Sequence, residues 1–182
     1  FTAASGETIK INKQAATTFT TDGTAITFTG GTISLANDSN LTIDTGTGGG
    51  TINLPGGVMG TSSETITLTA GTGTVAIGVV GTGTEIADVS ITTTGNTTFS
   101  GDFTGGALTN TGPAIVSQNI TFGTSGNITF GSTLDSSSGS QTVTFNSPSY
   151  EINITGVVGG SNPFSAFTIT DADKFTYSGG GT

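Results

Sequence analysis

Apolar residues along this chain alternate with threonine, serine and asparagine in short runs, and glycine stands between the runs. GTISLAN, NLTIDTG, GTINLPGG, ETITLTAG and GTVAIGVVG follow one another through the first half. The series continues with DVSITTTG, NTTFSGDF, IVSQNITFG, GNITFGSTL, QTVTFNS, YEINITGVVG, SAFTIT and KFTYSGG. Alternation with a period of two buries one face of a strand and leaves the other wet, so these runs predict β-strands. Thr8 to Asn12 reads as one such strand, and residues 15–29 read as two around the tight-turn pair Asp22-Gly23. No stretch offers apolar residues at helical spacing over three turns, and helix is expected to be close to nil.

One line is used twice. GVVGTGTEIADVSIT at 78–92 aligns without a gap on GVVGGSNPFSAFTIT at 156–170, and Thr98-Phe99-Ser100-Gly101 then falls on Thr176-Tyr177-Ser178-Gly179. This 78-residue register reads 78–155 and 156–182 as copies of one unit, preceded by a degenerate first copy, with 1–182 as a single all-β domain. Short strands of similar length between glycine corners suit a solenoid or a sandwich. A sandwich needs non-equivalent strands and predicts no repeat. The favoured expectation is therefore a parallel β-solenoid, a right-handed β-helix, with a β-sandwich filament subunit as the alternative. On that reading the unit spans about four coils of ~20 residues, and outward Thr and Asn pair sideways in ladders.

Composition narrows the function. Thr is the commonest residue at 41, Gly follows at 31, and the net charge is −9 with three lysines, no arginine and no histidine. Such a chain cannot neutralise phosphates, which argues against nucleic acid as a partner. No apolar run approaches the ~20 residues of a membrane-spanning helix. There is no cysteine, so neither disulfides nor thiol chemistry are available, and the acidic, hydroxyl-rich, lysine-poor surface reads as secreted or cell-surface. Nucleophile–base catalysis of the usual kind lacks both Cys and His, and imidazole or thiolate metal sites fall with it. No enzyme and no cofactor are expected. Two carboxylate pairs remain, Asp171 with Asp173 and Glu85 with Asp88, and both read first as solvated strand ends. Asp171 and Asp173 are also the candidates for a Ca²⁺ held by hard oxygen ligands. Six Asn-x-Ser/Thr sequons, at Asn37, Asn40, Asn96, Asn119, Asn127 and Asn153, are candidate glycosylation acceptors and read equally as turn or ladder residues. Thr-x-Thr lines at Thr27-Phe28-Thr29, Thr65 to Thr69 and Thr142-Val143-Thr144 raise ice binding. Apolar residues interrupt them in different phases, which argues against one regular face. Sugar stacking has few platforms, because the chain holds no Trp and only Tyr150 and Tyr177 besides phenylalanine.

The succession GNTTFSGDFTGGALTNTG, NITFGTSGNITFGSTLDSSSGSQTVTF and GVVGGSNPFSAFTIT resembles the repeat region of very large bacterial surface proteins of the filamentous-haemagglutinin and autotransporter-adhesin group. The similarity covers about residues 65–182. It implies a right-handed parallel β-helix outside the cell, serving as a stalk, adhesin or biofilm fibre.

The end segments complete the expectation. Residues 1–13 read as an extended strand able to leave its own body and add to a neighbour's sheet, and KFTYSGGGT ends on a strand that stops in glycine. Thr8, Ile9, Lys10, Ile11, Phe175 and Tyr177 are the candidate assembly residues. The expected partners are copies of the same chain or the rest of a longer fibre protein, with surface glycans as a further partner. A polysaccharide-cleaving or carbohydrate-binding β-helix and an ice binder are the alternative functions.

Overall fold

The computed structural model describes residues 6–61, 63–82 and 84–180. Among these there is no helix, and every strand pair is parallel. The backbone winds in coils, each strand lying on its equivalent one coil away. The first coil holds β1 (Thr8–Asn12), β2 (Thr17–Thr20) and β3 (Ile26–Thr27), the second β4 (Thr32–Ala36), β5 (Leu41–Asp44) and β6 (Ile52–Leu54). The third holds β7 (Val58–Met59), β8 (Thr65–Gly71) and β9 (Val75–Ile77). In the fourth, β10 (Ile86–Thr93) and β11 (Thr97–Phe99) follow an isolated bridge at Val80, and the fifth has β12 (Phe103–Asn110) and β13 (Ala114–Val116). The sixth has β14 (Ile120–Thr124), β15 (Ile128–Phe130) and β16 (Leu134–Ser136), the seventh β17 (Thr142–Ile154) and a bridge at Val158. Two sides of an eighth coil are covered by β18 (Ala166–Tyr177). The chain is a parallel β-solenoid.

Three inward columns run its length. The first stacks Ile9, Ile33, Val58, Val80, Phe103, Phe122, Phe145 and Ile169, whose members lie 19 to 25 residues apart. The second includes Leu41, Ile66, Val89, Leu108, Ile128, Ile152 and Phe175. The third stacks Ile26, Ile52, Val75, Thr97, Ala114, Leu134 and Val158. Inward residues of β5, β6, β9 and β15 are buried while their neighbours are half-exposed, as the alternation predicts. The early coils fill with Ile, Leu and Val. The later ones fill with an interlocked set of Phe99, Phe103, Phe122, Phe130 and Phe145, with ring centroids 5.2–6.2 Å apart.

Three sequence expectations are corrected. Asp22-Gly23 does not close a hairpin. Gly23 (φ 73°) turns a corner between β2 and β3, which belong to different sheets, because each strand finds its partner in the next coil rather than in its sequence neighbour. Residues 8–12 do not leave the body, since β1 pairs along its length with β4; residues 1–5 of the expected assembly strand lie outside the described residues. Third, the 78-residue register is not a whole number of coils. It carries Val80 of the first column to Val158 of the third, Ile91 of the second side to Ile169 of the first, and Phe99 of the third side to Tyr177 of the second. The unit thus spans three coils and two sides. The local geometry nevertheless repeats. Gly78 and Gly156 press so closely on the preceding coil that a Cβ would lie 2.4 Å from the Pro55 carbonyl oxygen and 2.2 Å from the Ser132 carbonyl carbon. Gly81 and Gly159 both turn the following corner with positive φ, 75° and 67°, which non-glycine residues adopt only with strain.

Candidate functional site

The candidate assembly residues all lie on the two end coils. At one end β1 pairs only with β4, β2 with β5 and β3 with β6, so their outer edges carry no strand among the described residues. Ile9 and Ile11 point inward and are half-buried, while Thr8 and Lys10 are exposed. At the other end β18 pairs with β17 at ten positions, and its opposite edge likewise carries no strand among the described residues. Phe167 and Ile169 are half-buried against the core, and Phe175 and Tyr177, at 42% and 40% exposure, are the last apolar members of their columns. Among the described residues both ends therefore leave backbone N–H and C=O groups unpaired beside half-covered apolar side chains, the pattern that templates addition of a further strand.

The two ends differ in charge. The first coil carries both of its lysines, Lys10 and Lys13, on or just after β1, with Glu7 and Asp22 outside its strands, and β18 carries Asp171 and Asp173, exposed on its outer face. Lys174 lies 3.4 Å from Glu151 in a solvent-exposed pair, a geometry that contributes at most about 1 kcal/mol. Asp171 and Asp173 are not joined by a third acidic side chain: no group of three or more His, Cys, Asp or Glu side chains suited to a metal occurs among the described residues. The other pair, Glu85 and Asp88, is tied to later coils. Glu85 Oε2 accepts from the Ser125 hydroxyl at 3.0 Å, and Asp88 Oδ1 accepts from the Ala107 N–H at 3.3 Å. Glu85 also lines a shallow concavity of about 330 Å³ with Gly123, Asn146 and Tyr150, the last 41% exposed.

Several sequon asparagines extend the strand ladders with their side chains. The Oδ1 atoms of Asn40, Asn119 and Asn127 accept from the N–H groups of Thr65, Thr142 and Glu151 one coil on, at 2.9, 2.9 and 3.0 Å. Asp102 and Asp135 do the same for Thr121 and Ser161. Asn37 sits at a corner with φ 55° and donates to Asn12 Oδ1, Asn96 is exposed, and Asn153 is half-buried on β17, its Oδ1 without a partner among the described residues.

Sequence reasoning missed Glu64, which is wholly buried. Burial pushes its carboxyl up, but the Thr61 hydroxyl and the N–H groups of Thr61 and Ser63 donate to it and hold it below its ordinary value. The Thr61-x-x-Glu64 spacing was the available signal. It is the spacing of a helix capping box, closing a corner instead.

No protein-family model matches the chain, and neither does any curated protein or solved structure.

Proposed function

We propose that this chain is an extracellular structural or adhesive protein that forms, or belongs to, a cell-surface fibre through its strand edges. The observation that carries the reading is the pair of open end coils, whose inward columns are those of the interior. Joining the β18 edge of one body to the β1–β2 edge of another extends the first column from Ile169 to Ile9 and buries Phe175 and Tyr177. Such a contact is head-to-tail, and a head-to-tail contact that does not close on itself propagates a filament. Lys10 and Lys13 at one end and Asp171 and Asp173 at the other favour this polarity over end-to-like-end contacts. The same edges serve equally where the next coil belongs to a longer chain. The resemblance to bacterial adhesin repeats, the hydroxyl-rich acidic surface and the few reactive side chains agree with a structural role, and exposed Tyr150 offers a contact for surface glycans.

Electron microscopy of the purified chain tests this directly. Filaments one solenoid wide are expected. Asp171→Lys with Asp173→Lys should slow their growth, and Lys10→Glu with Lys13→Glu added in the same chain should restore it. A monodisperse particle in light scattering at every concentration tested sinks the reading.

A further inference from the structure

The outer face of the second side is more regular than its sequence suggests. Strand pairing brings Thr42, Thr67, Ser90, Thr109 and Thr129 into one outward column, each on the next coil. Two residues further along each strand a second column runs through Thr69 and Thr92. The Thr111 N–H donates to the Ile91 carbonyl at 3.0 Å, which sets Thr111 beside Thr92 as the next member. Of the Thr-x-Thr lines singled out from the sequence, only the Thr65 to Thr69 line reaches this array, through Thr67 and Thr69; Thr109-Asn110-Thr111 supplies a further coil. Thr27 lies on the third side and Thr142 and Thr144 on the first. The phases that look irregular along the chain come into line because coil length varies at the corners.

These threonines do not pair sideways, contrary to the expected ladders. The hydroxyls of Thr42, Thr67, Thr109 and Thr129 make no hydrogen bond among the described residues, whereas a hydroxyl pair does form between Thr51 and Thr74 at 3.3 Å. In the second column the Thr111 hydroxyl donates to the Ile91 carbonyl at 3.4 Å; those four hydroxyls of the first column are free of protein partners among the described residues. Beside the second column lies an open trough of about 440 Å³ lined by Thr47, Thr69, Thr72, Thr92, Thr94 and Thr111 together with Gly71. Over the three coils from Thr67 to Thr111 neither column contains a charged residue.

From this we infer that the face binds the surface of ice. Hydroxyl groups, joined by methyl groups at every position but Ser90, repeat at ~4.8 Å between coils and at ~6.6 Å along each strand. A rigid two-dimensional grid of this kind holds water in rows with little further ordering of the protein. Other occupants match less well. A polyanion finds no cation on the array, a polycation finds in the strands of those three coils a single carboxylate, Asp88, at the margin beside Ser90, and a sugar ring finds no aromatic face.

Inhibition of ice recrystallisation, together with thermal hysteresis, tests the inference, and neither readout depends on end-to-end assembly. The wild-type chain and the Thr98→Lys variant, altered on the third side, should both be active. Thr67→Lys with Thr109→Lys should lower activity by at least an order of magnitude with an unchanged far-UV circular dichroism melt. Thr67→Ser with Thr109→Ser, which keeps the hydroxyls and removes the methyls, should lie between and covers the case in which the lysines disturb folding. A wild-type chain without activity in either assay overturns the inference, as does a double-lysine variant as active as Thr98→Lys.

Discussion

Truncating Phe122 to alanine is the sharpest test of how this solenoid is held together. The ring is fully buried and stacks on Phe145 with centroids 5.2 Å apart and planes 11° from parallel. It meets Phe99, Phe130 and Phe103 at 5.3, 5.5 and 6.2 Å, the first two edge to face. A buried Phe→Ala change costs about 3–5 kcal/mol through lost transfer energy and the cavity left behind. Four ring neighbours place this site at the upper end, since each aromatic pair adds about 0.5–1.5 kcal/mol beyond its area. Against a total stability of about 5–15 kcal/mol for a domain, the loss is a third or more.

Where that loss appears is the more telling question. In a solenoid each coil touches only its neighbours, so a break in the sixth coil weakens the coupling of the seventh and eighth to the rest. Tyr150 and Tyr177 lie in those last two coils and the chain has no Trp, so intrinsic fluorescence reports that end while far-UV circular dichroism reports every strand. In guanidinium titrations of Phe122→Ala the fluorescence midpoint should fall below the dichroism midpoint. Ile43→Ala, which removes a buried side chain of the second coil, should leave fluorescence as the later transition. Coincident transitions in both variants, with less than about 2 kcal/mol lost at Phe122, would refute nearest-neighbour coupling and the packing argument together.

Thr97→Val should raise stability by about 1 kcal/mol in the same titration, because the Thr97 hydroxyl is buried without a partner among the described residues, between Val75 and Ala114. Glu64→Gln should lose about 1–3 kcal/mol near neutral pH by weakening the bonds that close the Thr61 corner. Because the folded carboxyl titrates below its ordinary value of 4.5, its contribution is complete above that pH and fades as the pH falls through the lower folded value. Melting curves of wild type and Glu64→Gln should therefore converge in acid, and a gap that widens there would contradict the assignment. Gly81→Ala should prevent folding or cost several kcal/mol by thermal melt, since φ is 75° and the new Cβ would lie 1.8 Å from the Thr104 carbonyl oxygen. Gly123→Ala should instead gain about 0.5–1 kcal/mol, because its nearest contact would be 3.8 Å away and its φ is negative.

Strand positions and inward faces were legible because alternation is a local property. Thr8–Asn12 is found as expected, and Ile43, Leu68, Ile77 and Phe130 point inward as their spacing demands. Which strand lies on which was not legible. Thr42 meets Thr67 rather than any nearer threonine because coil length, set by corners such as 45–51, decides the pairing, and glycine-rich corners carry no periodic signal. Glu64 escaped for a related reason: its value comes from donors gathered by a corner, not from the pattern of the strands around it.

The displaced repeat shows how the two levels separate. Gly-Val-Val-Gly at 78–81 and at 156–159 performs the same local task, a close approach to the coil beneath, an inward valine at Val80 or Val158, and a corner with positive φ. It performs that task on different sides because the three sides offer strands equivalent environments: an apolar column within and a parallel neighbour one coil away. Repetition in the sequence therefore records which strand-and-corner units were reused, not which surface they face. The register of coils records the surface. A face such as the threonine columns of the second side belongs to no repeated line, and arises only where corner lengths bring outward residues of unrelated lines over one another.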